Sequence, residues 1–325
     1  MEIFLPLLLT VIGLSLFEII TSIDNAIINA EVLSTMKEKA RRWFLVWGMF
    51  FAVFVVRGLL PLLIVWLSTP GIGIMGALTA TFSNDPKVVA AIEHSSPLLL
   101  MGGGTFLIFL FFHWLFLEPK NFGLFGEKFF QSKGVWFFAV TSILLSLIVW
   151  FSLQVNMYLA FSAVIGSTAF FIIHGFREQA EKQEQMLVKG TSGLSDVSKI
   201  MYLEVLDATF SIDGVVGAFA FTFSVPLILI GNGIGAIVLR QLTISNIDRI
   251  KRYKYLKNGA MYSILVLGVI MLLDSFGFHI PHWVSPAVTI LTVVYFFQKS
   301  KIDLGKLQIT TVSSTAKKTR KAKKS

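Results

Sequence analysis

The sequence predicts an all-α protein, a polytopic transmembrane bundle of about nine spans, built as two inverted-topology repeats with acidic motifs on broken helices. Three observations lead there. Of the 325 residues, 55% are hydrophobic and only 14% charged, whereas soluble domains carry roughly 25% charged residues. Lysine and arginine collect in alternate connections between apolar runs. One short acidic pattern occurs twice, once near each end of the membrane region.

Apolar runs long enough to span lie near 4–30, 44–67, 97–117, 135–152, 155–175, 201–223, 225–243, 258–276 and 283–298. Each approaches the roughly 20 residues that a helix needs to cross a hydrocarbon core. The stretch 69–96, with Pro70, Gly71, Gly73, Gly76 and the run "SNDPK", is too broken for a further span and reads as re-entrant or interfacial.

Charge sets the orientation. The first connection carries Lys37, Lys39, Arg41 and Arg42, and the second only Lys87. The third carries Lys120, Lys128 and Lys133, the fourth is nearly bare, and the fifth carries Arg177, Lys182, Lys189 and Lys199. The sixth is a short turn. The seventh carries Arg249, Lys251, Arg252, Lys254 and Lys257, and the eighth has none. Positive charge stays on the cytoplasmic side, so the pattern predicts a multi-pass cell (inner or plasma) membrane protein with its N-terminus outside and its C-terminus cytoplasmic. The opening "MEIF" places an acid where a signal peptide carries positive charge, so the first run is expected to be a true helix.

The expected organisation is a first membrane repeat unit (1–120), additional transmembrane helices (121–176), a charged cytoplasmic linker (177–199), a second repeat unit (200–300) and a basic cytoplasmic tail (301–325). The net charge is +9, and "TAKKTRKAKKS" places six Lys/Arg within its eleven residues. After a membrane region such a tail faces anionic lipid, so membrane lipid is the expected partner and nucleic acid is not. The chain has no cysteine, which excludes disulfides, thiolate metal sites and thiol catalysis.

The repeat carries the chemistry. "EIITSIDN" (Glu18 to Asn25) aligns with "DATFSIDG" (Asp207 to Gly214), keeping the upstream acid and the SID. The next segments align as well, "GMFFAVFVVR" ending at Arg57 and "GNGIGAIVLR" ending at Arg240. Under the predicted topology the two units run in opposite directions, a transporter arrangement. In an unbroken helix positions six apart lie about 120° apart, so a break at SIDN or SIDG would let both carboxylates of a unit converge. Asn25 and Gly214 are residues at which such a break is easy.

Glu204, Asp207 and Ser211 share one helix face. The acids Glu18, Asp24, Glu204, Asp207 and Asp213, with Ser22, Ser211, Asn25 and Asn232 as neutral donors, are expensive in a membrane unless paired, protonated or holding a cation. Arg57 and Arg240 are too few to neutralise them all. Oxygen ligands without thiolates suit hard divalent ions such as Mn²⁺, Mg²⁺ or Ca²⁺; monovalent cations or protons would also balance the charge. His94, His113, His174, His279 and His282 show no repeat and read as interfacial, which disfavours Zn²⁺.

These motifs resemble those of the TerC family of integral membrane proteins. "EIITSIDN" is similar to its E-x-x-L-S-x-D-N signature, "DATFSIDG" to D-x-x-F-A-x-D-S, and "GNGIGAIVLR" to S-N-x-F-A-I-L-G-L-R. The likeness covers roughly 15–120 and 200–300. Thr21, Ser211 and Gly214 depart from the family residues, Asp274 stands where a lysine is typical, and the span count exceeds the usual one, as in a divergent, longer branch. The resemblance implies metal handling, since members are linked to manganese export and tellurite resistance. It implies Glu18, Asp24, Asp207 and Asp213 as ligands, with Asn25, Asn232 and Arg240 beside them; Arg57 matches Arg240 through the internal repeat, and Glu204 and Asp274 are added from burial and helix face.

The expected function is therefore a divalent-cation transporter, first of all an Mn²⁺ exporter that is proton-coupled, with Ca²⁺ or Mg²⁺ as alternative cargo and no permanently bound cofactor. The alternative is a membrane scaffold or assembly partner in metal or tellurite stress resistance. No enzyme is expected, because an intramembrane aspartyl protease needs Tyr-Asp and Gly-x-Gly-Asp contexts that neither SID provides.

Overall fold

The computed structural model describes residues 4–23, 26, 29, 32–33, 35–48, 50–69, 86–188, 195–281 and 283–322. Among them the chain is helical, with no strand. The helices are α1 (Phe4–Thr21), α2 (Glu38–Trp43), α3 (Arg57–Ser68), α4 (Pro86–Phe116), α5 (Glu127–Gln131), α6 (Trp136–Val155), α7 (Met157–Val188), α8 (Asp196–Ala218), α9 (Val225–Lys251), α10 (Leu256–Ser275) and α11 (Val284–Ala322). Two π-helical stretches, Phe44–Gly48 and Phe51–Val56, lie between α2 and α3.

The described residues of the expected apolar runs lie mostly in helices, although the run 201–223 leaves its helix after Ala218. Among the described residues four segments are long and apolar enough to cross a membrane, namely His94–Phe116, Trp136–Val155, Met157–Arg177 and Leu256–Ser275. Leu5–Thr21, Phe54–Ile64 and Val225–Leu239 are shorter apolar helices.

α4 is the hub. It packs against α10, α7, α6, α3 and α8, and Phe106, Leu107, Phe109, Leu110 and Trp114 place it in the main core with Leu14, Phe17, Val215 and Leu267. Small residues let the helices approach. A Cβ on Gly166 would collide with the carbonyl of Gly102, so α7 and α4 meet backbone to backbone, and one on Gly104 would lie 2.9 Å from the Gly268 carbonyl on α10. Apolar side chains gain little by leaving lipid for a helix interface, so backbone closeness of this kind holds such bundles together. α6 lies outermost and presents Phe138, Ile143, Leu147, Trp150 and Phe151 outward.

Local signals set several boundaries. Asn156 stops α6, and its Oδ1 accepts from Tyr158 N at 2.8 Å to start α7. Ser195 caps α8, accepting from Ser198 N at 3.2 Å, which satisfies one of the unpaired first-turn amides. Gly277, with φ +87°, turns the chain after α10.

Two expectations are corrected. The third run begins earlier than residue 97, because α4 starts at Pro86 and carries Pro97 inside it. Much of the charged linker is also helix, since α7 runs on to Val188 and α8 begins at Asp196 and "REQAEKQEQMLV" is built of good helix formers. α8 passes unbroken through "SIDG". There Gly214 serves proximity: a Cβ at its position would stand 2.9 Å from Glu18 Oε2. In the first copy α1 does end, at Thr21. The turn geometry continues through it, with Ser22 N donating to Glu18 O at 3.1 Å and Ala26 N to Ser22 O at 3.0 Å.

Candidate functional site

Acids from both halves of the chain meet at one guanidinium. α1 carries Glu18, 1% exposed, and the π-helical stretch delivers Arg57, 3% exposed, at the start of α3. Arg57 Nη2 and Nε donate to Glu18 Oε1 at 2.6 and 3.0 Å. Its Nη1 donates to Asp207 Oδ2 on α8 at 3.3 Å and to the Ala52 carbonyl at 3.1 Å. Ser22 Oγ adds a bond to Glu18 Oε1 at 2.9 Å. Glu18 and Asp207 are the aligned acids of the two repeat copies, and one cation bridges them.

Glycines make the approach possible. Besides Gly214, Gly235 on α9 faces the Ser15 carbonyl, where a Cβ would stand at 2.6 Å, and Glu18 Cβ at 2.7 Å. Ser15 Oγ donates to the Gly231 carbonyl at 2.9 Å, tying α1 to α9. The Glu204 carboxylate sits where a Cβ on Gly48 would be, so the first π-helical stretch is notched to receive it.

Asp213, 8% exposed, pairs with Arg177 at 2.6 Å. Its second oxygen, Oδ1, has no hydrogen-bond partner among the described residues. Asn232 is fully buried, and neither polar atom of its side chain has a partner there. Buried groups left in this way are costly and point to a guest or a function. Ser211 Oγ turns back to the Asp207 carbonyl at 2.6 Å. Asp274 stands apart, at the last turn of α10, where its Oδ1 accepts from Ile280 N at 2.9 Å. Asp24, Asn25 and the Arg240 side chain lie outside the described residues. Among the described residues, no three His, Asp or Glu side chains converge as a bound metal ion requires.

Sequence reasoning missed Arg177, which it counted as a loop charge; its position directly after the apolar run "FIIHGF" was the available signal. It also gave no sign that two of the histidines meet. His113 is 7% exposed inside α4, and its ring centroid lies 3.7 Å from that of His174 on α7. His113 Nδ1 stands 3.5 Å from Glu118 Oε1, and Lys257 reaches Glu118 Oε2 at 2.7 Å. Burial alone would raise the Glu118 carboxyl, but the Lys257 ammonium and the His113 contact hold it well below the usual carboxylate range.

A further polar knot ties the segment after α4 to α10 and α11. Glu127, 2% exposed, accepts from Gly123 N at 2.6 Å, Asn258 Nδ2 at 3.1 Å and the Tyr262 hydroxyl at 3.0 Å. Lys299 Nζ donates to the Gly123 carbonyl, and Lys254 pairs with Asp303 at 3.0 Å.

Apolar helices held by glycine contacts around a buried carboxylate–arginine network define an all-helical membrane protein. The chain belongs to the family described as "Protein of unknown function (DUF475)", whose profile matches residues 23–304. It is similar to the uncharacterized membrane protein YceF of Bacillus subtilis (strain 168), with 25% identity over 191 residues, 57% of this chain and 70% of that protein. No solved structure matches it significantly.

Proposed function

We propose that the chain is a divalent-cation transporter, an Mn²⁺ exporter in the first place, working by alternating access of two inverted units. The observation that carries this reading is the convergence of Glu18 and Asp207, equivalent acids of the two motif copies, on Arg57 away from solvent. A permanent salt bridge needs one acid. Two acids on one arginine, with Asp213 and Asn232 keeping unpartnered atoms nearby in sequence, suit a site that exchanges its counter-ion. In this reading Arg57 and Arg177 are resident cations that the cargo displaces, and Asp24 joins Glu18, Asp207 and Asp213 as a ligand. The resemblance to the TerC family supports manganese as cargo. About nine spans, an outside N-terminus and a cytoplasmic C-terminus complete the proposal.

The test is Mn²⁺ flux into proteoliposomes of the purified chain at two pH values, beside Asp24→Asn and Asp213→Asn. Flux in the parent that both variants lose supports transport at the repeat. Silence towards Mn²⁺, Ca²⁺ and Mg²⁺ favours an assembly partner, a role to which the charged helical extension of α7 beyond Arg177 is suited.

A further inference from the structure

The connection between α4 and α6 is packed inside out. Glu127 is buried, held by Gly123 N, Asn258 and Tyr262. The large apolar side chains lie outside instead: Phe122, Phe125, Phe129, Val135 and Trp136 are exposed, Phe125 completely. Phe122, Phe125 and Phe129 fall between the membrane-length segments His94–Phe116 and Trp136–Val155, so they are not the lipid-facing flank of a span. The backbone that carries them is fixed. Asn258 Nδ2 donates to the Asn121 carbonyl at 2.9 Å, and Gln131 Nε2 to the Glu118 carbonyl at 2.8 Å. Lys299 Nζ donates to the Gly123 carbonyl, and Gly126, with φ +101°, turns the chain into α5. A connection facing water turns its phenylalanines in and its carboxylate out. Here the buried carboxylate ties the backbone down with the phenylalanines left outside.

We infer that residues 122–136 form a docking surface for anionic lipid, resting in the headgroup layer of the membrane beside α6. Charge complementarity names the occupant. Lys128 and Lys133 are exposed among these apolar side chains, and among the described residues neither pairs with an acid. From Asn121 to Val140 Glu127 is the one acid, and its burial leaves the lysines without an exposed opposite charge. Aromatic side chains entering the headgroup layer, with lysines at the same level, have the composition of an interfacial anchor. The surface is also continuous with the outward face of α6, running through Val135 and Trp136 to Phe138. It is a contact separate from the basic tail, and it holds whether or not the chain transports an ion.

The chain has no cysteine, so a single bimane label can be placed in the full chain in nanodiscs. Phe125→Cys carries it on the surface, Phe129→Cys gives a second position, and Lys39→Cys on α2, where the side chain is exposed, serves as the water-facing reference. Two kinds of quencher read the surroundings: iodide in the water, and phosphatidylglycerol or phosphatidylcholine bearing a nitroxide near the headgroup. Expected at both phenylalanine positions are weaker iodide quenching than at Lys39→Cys and strong quenching by the nitroxide lipids. At equal mole fraction, phosphatidylglycerol should be enriched around the label about fivefold over phosphatidylcholine, the weight of one lysine near an anionic surface. Lys128→Gln combined with Lys133→Gln should abolish that enrichment and leave the shielding from iodide. Iodide quenching as strong as at Lys39→Cys overturns the docking surface. Shielding from iodide and from both lipids means that a protein covers the patch, and overturns it as well. Equal quenching by the two lipids, or an enrichment that survives loss of both lysines, overturns the assignment of these lysines to anionic headgroups.

Discussion

Arg57→Gln withdraws the guanidinium that Glu18 and Asp207 share, and the energetics can be worked from the distances. Glu18 Oε1 receives two guanidinium bonds, at 2.6 and 3.0 Å, and Asp207 one at 3.3 Å. Removing one member of a buried pair costs about 3–5 kcal/mol, because a charge is left without compensation. Arg57→Gln should sit at the upper end, since it strands two carboxylates. Glu18→Gln should cost less, about 2–3 kcal/mol, because Arg57 retains Asp207. The double variant brings two neutral amides together and leaves Asp207 alone, so its cost should fall about 3 kcal/mol short of the sum. The assay is equilibrium unfolding in mixed micelles, followed by tryptophan fluorescence. Single costs that add to within about 0.5 kcal/mol would show that these groups do not hold one another, and the argument for a shared counter-ion would fail.

Gly166→Ala should destabilise by about 1–3 kcal/mol or more, because its methyl would enter the Gly102 carbonyl, while Gly175→Ala on the same helix meets nothing within 4 Å and should be neutral; paired thermal melts in detergent test the contrast. Glu118 has a lower pKa folded than unfolded, so its stabilisation is complete above the ordinary carboxylate value of about 4.3 and is lost as pH falls below it. Glu118→Gln should therefore melt lower than the parent from pH 5 to 8, with the gap closing below pH 4. Glu127→Ala leaves Asn258 and Tyr262 without their carboxylate and should cost about 2–4 kcal/mol. Limited proteolysis should then cut within 118–135, and an unchanged digest would show that the knot does not hold that segment.

The apolar runs were legible because lipid-crossing helices announce themselves by composition alone. Their ends were less so. Arg177 reads as the first residue of a loop when hydropathy is the guide, yet helix propensity carries α7 to Val188, and the same residue turns inward to Asp213. The acids Glu18, Asp207 and Asp213, conspicuous as charge inside apolar runs, are buried or nearly so. Their partners depend on which helices touch, and only the pairing with Arg57 had a signal, the arginine at the end of the aligned segment "GMFFAVFVVR". Gly214 was read as a breaker from its backbone freedom; in a bundle of close helices its missing side chain matters more. The meeting of His113 with His174 has no local signal at all, since it arises from the packing of α4 on α7.

The π-helical turns before Arg57 bear on how this chain tolerates changes in length. A π turn holds one residue more than the α turn it replaces. Deleting a single residue within Phe51–Val56 can therefore be absorbed by tightening to α geometry, leaving Arg57 and α3 in phase with their neighbours. The same deletion in the middle of α10 would rotate every later side chain by about 100° and turn buried Gly268 and Met271 away from α4. Insertions and deletions among relatives should accordingly gather in the segment just ahead of Arg57, and a scan of single-residue deletions should find there a rare tolerant site within a membrane helix.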